Sequence, residues 1–379
     1  MSDEWGSPEP QKTGDSPEAG ASFFQNALYR YSRRPAAVVS FFAAAFLILI
    51  AVFGPLVYRR SYSEQNLNHI NTPPFLRVYP VSGEFFYLSS NLKLIGVSPR
   101  GELLAPLERL GDDQSAKRIT YRAGGRNYFI DYSHNPPFLA DESGPLSSRR
   151  ILNRLYPLGS DSLGRDILIR LLYGSRISLT VAFVATLVNL MIGVFYGGAS
   201  GYIGGSFGAI LMRGVDILSA IPLTLYVILI MVVFEGDGFI SIILALGLVY
   251  WMDMARVVRA QILSLKERDF IIAARTMGSG PWYILRRHLI VNSVGPIMVT
   301  ATMQVPAAIF TEAFMSFIGL GVTAPMASWG TMCNDALESL RTAPYQLAFP
   351  AAAICLTMFA FNFIGDGLRD AFDPRMEQT

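Results

Sequence analysis

Residues 35–58, PAAVVSFFAAAFLILIAVFGPLVY, run for about 24 positions without a charged side chain. As an α-helix this run is about 36 Å long, enough to cross the ~30 Å hydrocarbon layer of a bilayer. It is too long for the apolar core of a cleaved signal peptide, about 7–15 residues. It also ends on Tyr58-Arg59-Arg60 rather than at a small-residue cleavage site, so it reads as a retained anchor. Five more apolar blocks follow, at 177–196, 209–234, 239–258, 290–311 and 347–364. Pro222 and Pro306 interrupt two of them, which membrane helices tolerate because neighbouring groups re-satisfy the backbone. Six spans place both termini on one side of the membrane.

Composition argues the same way. Of 379 residues, 51% are hydrophobic and only 16% charged, against about 25% charged in an average soluble domain. That excludes a disordered chain and a plain cytosolic enzyme. The net charge of +2 gives no bulk attraction to nucleic acid. Two cysteines, Cys333 and Cys355, make neither a disulfide framework nor a zinc pattern.

The loop cations assign sidedness. Arg30, Arg33 and Arg34 precede the first span. Arg256, Arg259, Lys266, Arg268, Arg275, Arg286 and Arg287 lie around the connection between spans four and five, against Glu267 and Asp269. The connection between spans five and six has only Arg341 as a cation. The positive-inside rule then makes the N-terminus, the 256–288 loop and the C-terminus cytoplasmic. Arg59 and Arg60 oppose this, but they adjoin a long segment, and long segments translocate largely regardless of charge.

Three regions outside the spans follow. Residues 1–34 are a cytoplasmic tail, and the first 22, rich in Pro, Gly, Ser and acids, are expected to be disordered. Residues 369–379 form a cytoplasmic C-terminal tail. Residues 59–165 mix charges of both signs with short apolar runs and read as a small β-rich extracytoplasmic domain between spans one and two. Ile119 to Tyr132 alternates on both sides of Gly124-Gly125, the pattern of a β-hairpin. Residues 84–88 and 92–97 are further strand candidates. The run Pro73–Leu76 recurs at Pro136–Leu139, which reads as two similar turns.

No enzymatic constellation appears. His69, His134 and His288 lack metal-ligand spacing, and solvated or hydrogen-bonded roles are expected for the first two. There is no His-Glu-x-x-His and no Gly-x-x-x-x-Gly-Lys-Ser/Thr phosphate loop, so the chain is not expected to hydrolyse ATP itself. Ser200, in Gly197-Gly198-Ala199-Ser200-Gly201, does not have nucleophile-elbow spacing. The glycines from 197 to 205 read as a tight cytoplasmic turn between spans two and three. No catalytic, cofactor-binding or metal-binding residue is assigned.

The informative segment is the 265–289 loop: Asp269-Phe-Ile-Ile-Ala273-Ala274-Arg275-Thr-Met-Gly278-Ser-Gly280-Pro-Trp282-Tyr-Ile-Leu-Arg-Arg287-His288. It reads as a short helix, a glycine break, and a second helix entering span five. Ala273, Ala274 and Gly278 are small enough for another protein to approach the backbone. Arg275, Arg286 and Arg287 offer polar anchors. A basic loop with a helix and a C-cap glycine is the plainer reading of the same residues.

This segment resembles the "EAA" loop of permeases of bacterial ABC importers, in which Glu-Ala-Ala, three residues and Gly precede an Arg-His-x-x-Pro-Asn stretch. Ala273, Ala274, Gly278, Arg287, His288 and Asn292 match; Ile272 stands at the Glu position and Val291 at the Pro position. The resemblance narrows to the second permease subunit of the oligopeptide/dipeptide family through Leu158–Asp166, Leu171–Ser178, Arg213–Pro222, Phe317–Val322, Ser328–Gly330 and Gly365–Pro374. These matches span roughly 155–375, whereas 1–30 and 60–150 match nothing specific.

The resemblance implies an all-α polytopic membrane protein with six transmembrane helices in the type I ABC-importer permease fold, its core at 166–368. It implies a homologous second permease, two cytoplasmic ATPase subunits docked on the EAA loops and using ATP and Mg²⁺, and an extracytoplasmic solute-binding protein. The substrate it implies is a peptide, with nickel or a glycoside as alternatives. Coupling residues would be Ala273, Ala274, Arg275, Gly278, Arg287 and His288, in a multi-pass protein of the bacterial inner membrane. A secondary transporter would instead carry an inverted repeat, and a membrane-anchored enzyme a catalytic constellation in 59–165; neither is visible.

Polar residues within the spans are weighed individually. Asp216 and Asp253 are expected to pair with Arg213 and Arg256. Gln304 and Asn362 are candidates for interhelical hydrogen bonds. Glu312, Phe317, Gly319 and Trp329 are the candidates for a translocation path or outer gate.

Overall fold

The computed structural model describes residues 23–81, 83–234 and 238–372. The expected disordered tail, 1–22, and the end of the C-terminal tail, 373–379, lie outside the described residues.

A short helix, α1 (Phe23–Ser32), precedes the first long apolar helix, α2 (Pro35–Val57). Pro55 sits inside α2, and its missing N–H leaves the Ala51 carbonyl without its helical donor. Arg176 supplies the substitute: Nε donates to Ala51 O at 2.7 Å and Nη2 to Val52 O at 2.5 Å. The proline therefore pins α2 to the next long helix.

Ten strands come next: β1 (Phe75–Val81), β2 (Glu84–Leu88), β3 (Leu94–Val97), β4 (Leu103–Pro106), β5 (Arg109–Asp113), β6 (Arg118–Ala123), β7 (Arg126–Asp131), β8 (Phe138–Asp141), β9 (Gly144–Pro145) and β10 (Arg149–Leu152). They form two five-stranded antiparallel sheets, ordered β10-β1-β2-β3-β4 and β5-β6-β7-β8-β9. The expected hairpin is β6–β7, with Tyr121 opposite Tyr128. Gly124 and Gly125 both have positive φ, as a two-residue hairpin turn requires. One face of each sheet contributes to a shared core containing Tyr79, Phe86, Leu94, Ile119, Tyr121, Tyr128, Ile130 and Leu139. The two Pro-Pro-Phe-Leu runs open β1 and β8, each burying its leucine completely. His69 is buried with Nδ1 3.1 Å from the Tyr156 hydroxyl, and burial lowers its pKa. His134 is exposed and bonds the Ser133 hydroxyl at 2.9 Å.

The remaining chain is helical: α3 (Ile167–Ile203), α4 (Gly205–Ser219), α5 (Leu223–Val233), α6 (Gly238–Val249), α7 (Trp251–Lys266), α8 (Asp269–Thr276) and the single turn α9 (Pro281–Tyr283). A π-helical stretch (Ile284–Leu289) leads into α10 (Ile290–Asn292), α11 (Val294–Phe317), α12 (Trp329–Asp335) and α13 (Tyr345–Phe372). Among the described residues, five helices, counting α6–α7 as one, are long and apolar enough to cross a membrane; α4 and α5 together make a sixth, broken candidate.

Two sequence expectations change here. The glycines at 197–205 are not a turn. α3 continues to Ile203, and only Gly204 and Gly205 make the turn, both at positive φ. Gly193, Gly197 and Gly201, spaced four apart, form a ladder on which α7 lies. A Cβ would stand 2.9 Å from Trp251 O at Gly193, 2.9 Å from Ala255 Cα at Gly197 and 2.9 Å from Ile262 Cβ at Gly201. Small residues let membrane helices approach closely, which is the attraction available where lipid removes the hydrophobic one. The expected third span, 209–234, is likewise not one straight helix: α4 and α5 meet at 80°. Pro222 cannot donate to Leu218 O, and the Tyr226 hydroxyl does so at 2.9 Å.

α3 is the axis of the bundle. Leu179, Val181, Ala182 and Ala185 join Val227, Ile242, Leu246, Val305, Ala308 and Ile309 in the main apolar core. At the α6–α7 junction, Gln304 Nε2 donates to Tyr250 O at 2.9 Å, and the Tyr250 hydroxyl lies 2.5 Å from Thr311 Oγ1. Gln304 thus makes the expected interhelical bond. Asp216 and Asp253 pair as expected: Arg256 lies 3.0 Å from Asp253 and 3.4 Å from Asp216, with Arg213 4.0 Å from Asp216.

Candidate functional site: the 265–289 loop and an ion-paired collar

The loop is a rigid two-faced element. Asp269 in its first turn and Arg275 in its last complement the dipole of α8. Ile271 and Ala274 face inward, 0% and 3% exposed, against Val258, Ile262, Ile284, Leu285 and Leu289. A Schellman motif ends the helix: Gly278 N–H donates to Arg275 O at 2.9 Å and Ser279 N–H to Ala274 O at 3.1 Å. Gly278 has φ +84°, a left-handed conformation, and nothing among the described residues would obstruct a Cβ there.

Pro281 opens the following turn, and the chain enters α10 through the π-helical stretch. The Tyr283 and His288 rings meet edge to face at 5.5 Å. Their five-residue spacing is one π-helical turn. Asn292 Nδ2 donates to His288 O at 2.5 Å.

The outward face carries Ile272, Ala273, Arg275, Met277, Gly278, Trp282 and Arg287. Met277 is 79% and Trp282 60% exposed, large apolar groups on a loop dense in cations. Ala274 leaves the expected set of partner-facing small residues, because it is part of this chain's own core. His288 is half-buried.

The second cluster lies at the opposite ends of the helices. Asp161, 4% exposed, accepts Arg165 Nε at 2.6 Å and Arg170 Nη1 at 2.5 Å. Both arginines also reach Asp335 on α12, each at 3.0 Å. Asp161 further accepts the backbone N–H groups of Leu163 and Arg165, both at 2.9 Å. Two cations and two anions thus neutralise one another and fasten α12 to the start of α3.

Neighbouring bonds extend the collar to the β-rich unit and α13. Thr72 N–H donates to Ser160 Oγ at 2.9 Å, while Gln346 Nε2 donates to Ser160 O at 2.9 Å and to Asn71 Oδ1 at 2.8 Å. Asp166 caps α3 at Leu168 N, accepts the Tyr58 hydroxyl at 2.7 Å and pairs with Arg60 at 3.2 Å. Arg60, which ran against the positive-inside count, therefore has a structural anion.

Glu312 is fully buried on α11, accepting the hydroxyls of Ser178 and Ser316, both at 2.8 Å. The structure turns it into the chain's own core, between α3 and the start of α12, not toward an open path. Trp329 is buried beside it; its backbone N–H donates to Ser178 Oγ at 3.3 Å and Nε1 to Leu171 O at 3.2 Å. Phe317 ends α11 with its carbonyl bonded by Asn334 Nδ2, and Gly319 follows at φ +85° with open space around it. Phe317 and Trp329 are thus tied into the connection between α11 and α12, and Gly319 lies in its exposed turn. The sequence reading missed Arg170 and Asp335. Its available signal was the density of charges at 161–170 immediately before and inside an apolar helix.

Residues 168–378 match the family model described as binding-protein-dependent transport system inner membrane component, and residues 22–74 match the N-terminal TM domain of oligopeptide transport permease C. The chain belongs to the first of these families, the membrane-embedded permeases of inner-membrane transport systems. It is 34% identical over 362 residues to the dipeptide transport system permease protein DppC of Lactococcus lactis subsp. cremoris, covering 94% of this chain and 92% of the relative. It is 49% identical over 220 residues to the oligopeptide transport system permease protein OppC of Bacillus subtilis, covering 58% and 72% respectively. The first alignment takes in the β-rich unit as well as the permease core.

Proposed function

We propose that this chain is one of two membrane subunits of an ATP-driven importer for peptides. It forms the translocation path with a homologous permease, and two cytoplasmic ATPase subunits that use ATP and Mg²⁺ drive it. A solute-binding protein delivers the peptide on the side of the β-rich unit. The relatives' names as oligopeptide and dipeptide permease proteins support the substrate class. The distribution of arginines supports cytoplasmic termini and an outward-facing β-rich unit.

The observation that carries the coupling role is the two-faced 265–289 loop. Its inner face is locked into the bundle by Ile271 and Ala274, while Ile272, Met277 and Trp282 are exposed at its outer surface. A partner docked on that surface moves α8, and the shared core passes the movement to α7 and the chain entering α11. ATP-dependent closure of the partners can thereby bias a bundle with two arrangements.

Gly278 tests this coupling. A non-glycine residue in the left-handed region is strained by roughly 1–2 kcal/mol, with Asn among the best tolerated. Gly278→Val should leave membrane insertion intact but sharply reduce the transport obtained per ATP hydrolysed. Gly278→Asn should stay near wild type. Normal transport stoichiometry in Gly278→Val would remove the coupling assignment.

A further inference from the structure

The first sheet of the β-rich unit is covered along only part of one face. Side chains alternate between faces along a strand, so Phe75, Arg77 and Tyr79 share one face of β1. Tyr79 is buried in the core that the two sheets share, whereas Phe75 and Arg77 are exposed. On β10, Leu152 stands opposite Phe75 and Arg150 opposite Arg77. The four side chains therefore make a patch of two adjacent cross-strand pairs, one apolar and one cationic, just beyond the shared core. Phe75 is 61% and Leu152 53% exposed.

The cationic pair works against this chain's own stability. Like charges directly opposite on neighbouring strands destabilise a sheet. Neither Arg77 nor Arg150 has an ion-pair or hydrogen-bond partner among the described residues. Arg149, the next residue, lies on the other face, where its guanidinium sits 4.4 Å over the Phe85 ring. The patch is also held in place. Beside the Phe75–Leu152 pair, Asn153 N–H donates to Pro74 O at 2.9 Å and Nδ2 to Pro73 O at 3.1 Å. A few residues earlier, Thr72 and Asn71 are bonded to Ser160, ahead of α3, and to Gln346, at the start of α13. The patch thus adjoins the ends of the long helices, on a root that does not need to be ordered when a partner arrives.

Aromatic residues and Arg are the side chains enriched in protein–protein contacts. Two arginines without carboxylates beside an exposed Phe and Leu fit a protein surface that presents carboxylates around an apolar spot. We propose that Phe75, Arg77, Arg150 and Leu152 form a docking patch for an acidic face of the solute-binding protein. The proposal rests on the importer reading above and adds to it the surface at which delivery is made. The partner's carboxylates neutralise Arg77 and Arg150, and its apolar side chains cover Phe75 and Leu152.

The test uses the full-length chain in its purified complex, in nanodiscs, and the purified solute-binding protein encoded beside it. Arg77→Gln/Arg150→Gln should weaken binding about tenfold or more at low salt, chiefly by slowing association. High salt should shrink that deficit. Thermal stability of the same variant should be unchanged or slightly raised, because the cross-strand repulsion is gone. Phe75→Ser/Leu152→Ser should weaken binding with the salt dependence kept. Arg149→Gln, on the other face, should stay within about twofold of wild type. A photoreactive phenylalanine analogue in place of Phe75 should cross-link to the binding protein. Binding that is unchanged in Arg77→Gln/Arg150→Gln would overturn the patch and leave the importer reading standing. So would cross-links that go only to lipid or to the second permease. A wild-type complex to which the binding protein does not bind at all would overturn both.

Discussion

Asp161→Ala should destabilise the folded chain by roughly 3–5 kcal/mol, the range for removing one partner of a buried charge network. Asp161 is 4% exposed, and its removal leaves Arg165 and Arg170, 8% and 3% exposed, sharing only the partly exposed Asp335. It also removes the acceptor for two backbone N–H groups in the turn that starts α3. Asp335, by contrast, has a side chain 37% exposed. Water can replace much of what it supplies, so Asp335→Ala should have a much smaller effect, about 1 kcal/mol. The fraction of protein surviving heating as a monodisperse peak in detergent measures both. If the two substitutions are equal and small, the collar is a surface decoration. If Asp161→Ala alone collapses the fold, Asp161 holds the turn that starts α3 through Arg165, Arg170 and the backbone N–H groups of Leu163 and Arg165.

The second large effect is a contrast between adjacent residues. Gly197→Ala should be clearly destabilising, by about 1–3 kcal/mol for overpacking, and Gly197→Leu more so. The added Cβ would meet Ala255 backbone atoms, Cα at 2.9 Å and the carbonyl carbon at 3.0 Å, which cannot move aside. At Gly198 the nearest atom to a Cβ is the Leu285 side chain at 3.7 Å, an ordinary contact. Gly198→Ala should therefore be neutral or stabilising by up to about 1 kcal/mol, the helix-propensity gain over glycine. Thermal or denaturant titration of the two variants side by side gives the sign of each. Opposite signs identify the 193–197–201 ladder as the α3–α7 contact; equal signs would contradict the close approach.

The fold was legible wherever the determining interactions are local. The run 35–58 is apolar along its whole length, and Gly124-Gly125 flanked by alternating residues defines a hairpin within about ten positions. Gly278 after a short amphipathic helix is a C-cap by the same local logic. The glycines at 197–205 were misread because glycine serves both turns and close helix contacts. What decides between them is α7, more than fifty residues further along the chain. The bend at Pro222 was hidden for a related reason: proline inside an apolar run is compatible with a tolerated kink or a broken span.

The candidate site divides in the same way. The 265–289 loop was recognisable from its small residues and cations, but which alanine faces inward depends on how α8 is rotated against Ile262 and Leu285. Ala274 turned out to be core and Ala273 surface. Glu312 at the end of an apolar helix signals function by its expense in a membrane, yet its partners Ser178 and Ser316 show a buried tie within the chain. Asp335 carried no local signal, because its arginines lie some 165 residues earlier.

The central claim is that the exposed face of this loop receives the motor subunits. The most direct measurement is co-purification of the tagged full-length chain expressed with its neighbouring genes, comparing wild type with Met277→Asp/Trp282→Asp. Both side chains are exposed, so the double substitution leaves the bundle intact. The wild type should retain a second permease and ATPase subunits, and the variant should keep the permease while losing the ATPases. A wild-type chain that brings down no ATPase, or a variant that holds its ATPases as tightly as the wild type, would contradict the account.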